Sequence, residues 1–358
     1  MRKIVTLMLL VAGFVSVAAN KIYAQDENIV NLQAEVRVDY QYEGINGDKI
    51  VDNTGFKGKY LNVILNGSLS KTISYSYRQR LNKAHSSQSF FDATDWIYLT
   101  YAPTEHWGFS AGKQVVAIGG FEYDRAPIDL YTCSEFWNNI PCYQFGVSAS
   151  YKMNKGRDQL LFQVCQSPFR NVSGEDVYAY NLMWYGMHRW FNTAWSVNMI
   201  QLEKGEFINY IALGNYFSFG ALHIYLDFMN RATSYHSFFF KDCSVMGEIA
   251  YDFCKKFKVF GKVTYDVNKS ESLSEGYLRS ARVADYCVLP GTELTMIGGG
   301  LEFYPLKESK NLRLHANCFY STGSNGNPSG TMQDKRLVLD AGIKWKMNVL
   351  SLPRKAKK

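Results

Sequence analysis

Beyond its first two dozen residues the chain contains no apolar run of 18 residues, which excludes a bundle of membrane-spanning helices. Proline is scarce, eight in 358 residues, and no Ser/Pro/Gly linker or charge block divides the middle, so the sequence reads as one domain. No CxxC, HxxxH, HxH or HExxH occurs, and there is no Walker loop and no GxGxxG between a strand and a helix; the GxSxG match Gly108-Phe109-Ser110-Ala111-Gly112 lies inside an alternating strand segment, not at a strand-to-helix turn. Metal hydrolysis and nucleotide chemistry therefore lack the spacings they need, serine hydrolysis lacks the strand-to-helix elbow its motif requires, and neither a cofactor nor a metal is implied. A strong excess of one charge is also missing. The formal +7 falls by three to +4 once the leader's Arg2, Lys3 and Lys21 are set aside, too little for a nucleic-acid partner.

What is present begins with that leader. Met1-Arg2-Lys3 is a cationic start, Ile4 to Val17 an apolar run, and Ala24 a small residue before a cut, so residues 1–24 read as a secretory signal peptide. The run is short against the roughly 20 residues a spanning helix needs. Seven cysteines are an odd number for an exported chain. Cys133 and Cys142 are close enough in sequence to bridge one loop; the alternative is that all seven are small, reduced, apolar side chains.

Aromatic residues make up 15% of the chain, with 25 Tyr and 23 Phe, and the dominant pattern is period-two alternation over about ten residues, as strands of a transmembrane barrel require. In 337–347 the odd positions are apolar and the even ones mostly polar, charged or Gly, and 222–229, 257–267, 312–319 and 143–151 alternate in the same way. Such segments predict strands at 29–43, 57–69, 72–82, 95–102, 106–117, 142–152, 158–167, 176–188, 193–202, 207–217, 220–231, 242–252, 256–267, 292–303, 310–321 and 335–348. Sixteen is an even number, as a single-chain bacterial barrel needs.

Short turns at 70–71, 103–105, 153–157, 219–220, 252–255 and 304–309 alternate with long polar stretches at 83–94, 118–141, 232–241, 268–291 and 322–334. The expected fold is thus all-β, a transmembrane antiparallel up-and-down barrel of about 16 strands over 25–350, with a basic tail at 351–358. Its short turns belong on the periplasmic side and its long loops outside. Aromatic clusters at strand ends, among them Trp96, Trp107, Phe109, Tyr178, Tyr185, Tyr216 and Trp345, fit girdles at headgroup level.

Several stretches resemble the phosphate-selective porin O and P family of Bacteroidetes-type bacteria. They are Tyr77-Arg78-Gln79-Arg80-Leu81, Ala111-Gly112-Lys113-Gln114 with Gly119-Gly120-Phe121-Glu122-Tyr123-Asp124, and Leu301-Glu302-Phe303-Tyr304-Pro305-Leu306 with Leu312-Arg313-Leu314-His315. The resemblance implies a trimeric outer-membrane pore for small hydrophilic solutes, phosphate or other anions among them, with its third long loop folded inward. Segment 118–141 is that loop by count, and it carries Glu122, Asp124, Asp129 and Glu135 against Arg125, a local sum of −3 that runs against phosphate selectivity.

The polar strand faces supply the wall. Arg78, Arg80, Lys258, Lys262, Arg313, Arg336 and Lys344 are the pore-lining candidates; with Arg231 and Lys346 the alternating segments place nine cations inward against four anions, which favours anions weakly. Arg78 and Arg80 share a face and need a compensating anion, from the acidic loop or a solute. Lys262 has Asp266, and Lys344 has Asp340, four residues away as pairing partners. Two other classes remain: a plugged barrel that captures ligands with loops 232–241 (Tyr235, Phe238, Phe239, Phe240) and 268–291, and an outer-membrane hydrolase. The surroundings in every case are outer-membrane lipid and lipopolysaccharide.

Overall fold

A computed structural model describes residues 28–83, 90–233, 240–270 and 285–354. The signal peptide, Tyr235, Phe238, Phe239 and the last four residues lie outside them.

The chain forms β1 (Asn28–Ile45), β2 (Asp48–Lys49), β3 (Gly55–Ser68), β4 (Ile73–Arg80), β5 (Thr94–Tyr101), β6 (Trp107–Val115), β7 (Tyr143–Met153), β8 (Asp158–Gln166) and β9 (Tyr178–Met187). It continues with β10 (Phe191–Glu203), β11 (Glu206–Phe219), β12 (Leu222–Ala232), β13 (Asp242–Cys254), β14 (Phe257–Asn268), β15 (Thr292–Phe303), β16 (Leu312–Ser324) and β17 (Arg336–Pro353). β2 is a two-residue pairing inside the first hairpin, and the other sixteen strands are antiparallel neighbours. β1 pairs with β17 from Asn28↔Pro353 to Ile45↔Arg336, closing the sheet into a barrel with no open edge. The last strand runs on to Pro353, so residues 351–353, read from sequence as tail, belong to the wall.

Alternation sets the two faces. On β17 Leu339, Ile343 and Trp345 are exposed, while Asp340 and Lys344 between them are buried inside. The lipid face shows the same run of exposed Leu99, Val147, Leu182, Val197, Ile297 and Leu301, a surface that only hydrocarbon would cover without cost. Aromatics stack at the end with the short turns: Trp107 on Phe109, Trp190 on Phe217 and Phe219, and Phe257 on Phe303. Three residues assigned to girdles are not there. Trp96, Tyr185 and Tyr216 point into the lumen, where Trp96 carries Arg78 over its ring at 3.8 Å and Tyr216 stacks on Tyr225.

The short turns appear as expected, but Lys204-Gly205, between β10 and β11, is a two-residue turn on the side of the long loops. All seven cysteines are free, so Cys133 and Cys142 do not bridge the loop.

Candidate functional site: the inward loop and the vestibule

The long connection from β6 to β7 turns into the barrel at Val116 and spans its cross-section. Two glycines permit the entry. A Cβ on Gly119 would lie 2.5 Å from the Ala194 carbonyl, and Gly120 has φ 108°, a conformation other residues rarely adopt. Phe121 then packs between Tyr216 and Tyr225, and the Asp227 carboxylate accepts the Glu122 backbone N–H at 2.6 Å. From 116 to 130 every residue is buried except Arg125 and Asp129. The upper lumen is apolar where the loop meets β10–β12: Val116, Ile118, Tyr123, Phe136 and Ile140 pack with Ile200, Ile208, Tyr210 and Met229, and with Cys287 and Val288 of a second inward segment. Arg231 pins that second segment through Asp285 at 2.5 Å while holding Asp242 at 2.9 Å.

Each loop charge assigned from sequence has a defined place. Glu122 receives the Lys262 ammonium at 2.6 Å and the Ser134 hydroxyl at 2.5 Å, and Lys262 also donates to the Thr132 carbonyl. Arg125 bonds Glu248 at 2.6 Å with its guanidinium over Tyr225. Asp129 takes Arg313 at 3.1 Å and Lys344 together. Burial would raise the Asp129 carboxyl, but these two cations outweigh it and hold it down at about 2. Asp124 goes the other way: burial, with Asp227 nearby, pushes it well above the usual carboxylate range. Glu135 donates its backbone N–H to Asp266 at 2.8 Å and begins a helical turn capped by Ser134.

The wall candidates all face inward, and all are paired. Arg78 and Arg80 share Asp95, at 2.7 and 2.9 Å, so the compensating anion is a strand neighbour rather than the loop or a solute. Lys258 meets Glu302 at 3.3 Å, Arg313 meets Glu302 at 3.2 Å, and Arg336 meets Glu43 at 2.9 Å. Lys262 and Lys344 pair with loop acids, not with Asp266 and Asp340 four residues away. The nine-to-four excess was therefore too simple a count. It omitted the buried inward acids Glu35, Asp39, Glu43, Asp95, Asp242 and Glu302. Their signal was legible on β1, where Glu35, Arg37, Asp39, Gln41 and Glu43 alternate with Val36, Val38, Tyr40 and Tyr42.

Tyr131 is the residue sequence reasoning missed. Its ring stacks on Phe260, lies against His315, and sits under the guanidinium groups of Arg37 at 4.7 Å and Arg313 at 5.2 Å, while its hydroxyl donates to Glu302 at 2.7 Å. It fastens the loop to β1, β14, β15 and β16 together. Beside it Asp39, His315 and Asp340 bring ligand-type atoms within 4.8 Å of one another. The Arg37 guanidinium, 2.7 Å from Asp39 and 3.9 Å from Asp340, already supplies the positive charge there, so the cluster does not fit a metal.

Below the loop a cavity of about 1260 Å³ opens toward the short-turn end. Eight basic side chains line it, Arg125, Lys255, Lys258, Lys307, Lys310, Arg313, Lys344 and Lys346, against the acids Asp129, Asp252, Glu302 and Glu308.

A closed sixteen-strand barrel with an apolar outer face, aromatic bands, a charged interior and a loop folded into it is an outer-membrane porin. Residues 30–190 match the family "Phosphate-selective porin O and P", the family the sequence resembles, and the matched stretch takes in most of β1 and all of β2 to β9. In fold the chain is similar to the anion-selective porin from Comamonas acidovorans (TM-score 0.60, 11% identity, covering 89% of this chain and 99% of that one). It is likewise similar to the outer-membrane channel DcaP of Acinetobacter baumannii (0.58, 13%, 89% and 97%) and to OmpT of Vibrio cholerae (0.56, 11%, 90% and 98%). No curated protein matches the chain in sequence.

Proposed function

We propose that this porin is a passive, non-enzymatic pore for small hydrophilic solutes with a weak preference for anions, phosphate among them, working as a homotrimer. The observation that carries the preference is the vestibule, whose eight basic and four acidic side chains leave a net positive wall around the cavity below the loop. Such a wall lowers the electrostatic barrier to anions and raises it for cations. The acidic loop does not cancel this, because Asp129 is already among the four acids and Glu122 is neutralised by Lys262, which is not among the eight cations. The match of residues 30–190 to that family and the trimer form of OmpT from Vibrio cholerae among similar folds support the anion and trimer readings respectively.

The test is single-channel conductance of refolded protein in a planar bilayer under a salt gradient. A steady current with an anion-favouring reversal potential supports the proposal, and a cation-favouring potential overturns the anion preference. One observation favours a second reading, the plugged barrel: the near-complete burial of loop residues 116–130. Folded protein that inserts and carries no current would establish that reading.

A further inference from the structure

Seven lysines and arginines are buried among the described residues. Six of them, Arg37, Arg78, Arg231, Lys262, Arg313 and Lys344, each have a carboxylate within 3.1 Å. The seventh, Lys152, is 3% exposed, and its ammonium makes no hydrogen bond or ion pair with any described residue. A buried ammonium without a counter-charge is costly, and a bound anion removes that cost.

Lys152 lies near the short-turn end of β7, in register with Gln159 of β8. Tyr151 and Leu160 beside them are exposed on the lipid face, so Lys152 and Gln159 both point into the lumen, with Cβ atoms about 5 Å apart. Gln159 is 2% exposed, and neither its amide nitrogen nor its amide oxygen has a partner. Two adjacent inward side chains thus leave an ammonium, an amide donor and an amide acceptor unmatched. The surrounding wall does not supply the missing groups. Asp158, the nearest acid in sequence, faces outward, where it accepts the Trp184 indole N–H at 3.2 Å. The Ser150 hydroxyl donates to the Gly108 carbonyl at 3.3 Å, and Tyr185, beside Gln159 on β9, belongs to an apolar cluster with Phe121 and Leu161.

These unmatched groups define the occupant. A carboxamide closes a cyclic pair of hydrogen bonds with a group that offers an O–H beside an acceptor oxygen, and the ammonium then takes a further, negatively charged oxygen. Hydrogencarbonate and hydrogen phosphate both have that arrangement. Sulfate and nitrate have acceptors alone and leave the Gln159 oxygen without a donor, while Lys152 repels a cation.

We propose that Lys152 and Gln159 form a binding site for a small oxyanion that carries its own O–H group. The pair stands on the opposite wall from β15 and β16, whose Glu302 and Arg313 line the vestibule, so the site is separate from the vestibule and independent of its ion preference.

The test is equilibrium dialysis of the purified protein in detergent against radiolabelled inorganic phosphate near neutral pH and at constant ionic strength. Wild type is expected to bind phosphate and to release it to hydrogencarbonate, while sulfate and nitrate compete about tenfold less well. Lys152→Met and Gln159→Leu should each weaken binding by about tenfold or more, the effect of losing a charge-assisted or buried hydrogen bond. Heat-modifiable gel migration reports whether each barrel is folded, and Gln159→Leu keeps all charges in place should Lys152→Met fail to fold. Undiminished binding in either folded variant overturns the proposal, because the anion is then held elsewhere. Sulfate competing as well as hydrogencarbonate overturns the requirement for an O–H group, and folded wild type that binds no phosphate shows that water fills the site instead. Conductance in chloride needs none of these oxyanions, so it reports on the porin reading separately.

Discussion

Asp129→Asn removes the charge that ties the inward loop to two wall cations while nearly preserving side-chain volume. In the folded protein Asp129 is held at about 2 against an ordinary 3.8. That gap corresponds to about 2 kcal/mol of net attraction between the loop carboxylate and its surroundings, with Lys344 and Arg313 the main source. If the loop exchanges between its seated position and a displaced one, losing this attraction raises the displaced population by up to roughly 30-fold. Lys344 is also left without its acid partner, so the vestibule becomes more positive. The assay is single-channel recording of wild type and Asp129→Asn in symmetric and graded KCl, with folding verified by heat-modifiable migration. The variant should show more frequent conductance transitions and a reversal potential shifted toward anions. The same reasoning fixes the pH dependence. A carboxyl with a lowered folded pKa contributes fully above its unfolded value and loses that contribution as pH falls toward the folded one. Wild-type recordings should therefore be steady down to about pH 4 and acquire the variant's transitions between about pH 4 and 2. A variant with unchanged transitions and unchanged reversal potential would refute the assignment of Asp129 as the loop's electrostatic tie.

Tyr131→Ala removes the ring held among Phe260, His315, Arg37 and Arg313, and should increase open-channel noise more than Tyr131→Phe, which loses only the bond to Glu302. Equal noise in both variants would place the effect in the hydroxyl instead. Asp95→Asn leaves Arg78, 2% exposed, buried without its counter-charge, and should cost about 3–5 kcal/mol in urea unfolding from lipid vesicles. Gly119→Ala puts a Cβ 2.5 Å from the Ala194 carbonyl, so the loop seats poorly, and protease cleavage within 116–141 should accelerate while the strands stay protected. Ile297→Arg, at a position 58% exposed on the lipid face, should cost about 2–4 kcal/mol of unfolding free energy; a cost near zero would contradict the assigned outer face.

Most of the barrel was legible because its code is local. A strand places neighbours on opposite faces, so eleven residues such as 337–347 suffice to show which side meets lipid, and turn lengths alternate without reference to any distant contact. The inward direction of all seven wall cations follows from that rule. Their electrostatic state does not. Lys262 is 140 residues from Glu122 and Arg313 is 184 from Asp129, and no periodicity links such partners. The nearby acids Asp266 and Asp340 looked like natural partners for Lys262 and Lys344, yet the loop's own acids take both lysines first. Trp96 was misread for the same reason. A tryptophan near a strand end suits an interface belt equally well, and only its place over Arg78 shows that it serves the lumen.

The architecture is written locally: strand number, the alternation of faces along each strand, and the charge of each connection can be read within a dozen residues at a time. The tertiary structure alone decided how the lumen is filled. Whether a 27-residue connection stands outside or crosses the barrel depends on whether Gly119 and Gly120 meet Gly214 and Asp227, and whether Tyr131 finds Arg37 and Arg313 on opposite sides of the closing seam. Those contacts exist only once β1 has paired with β17 and the sheet has closed, because closure is what brings residues hundreds of positions apart to face one another across the lumen.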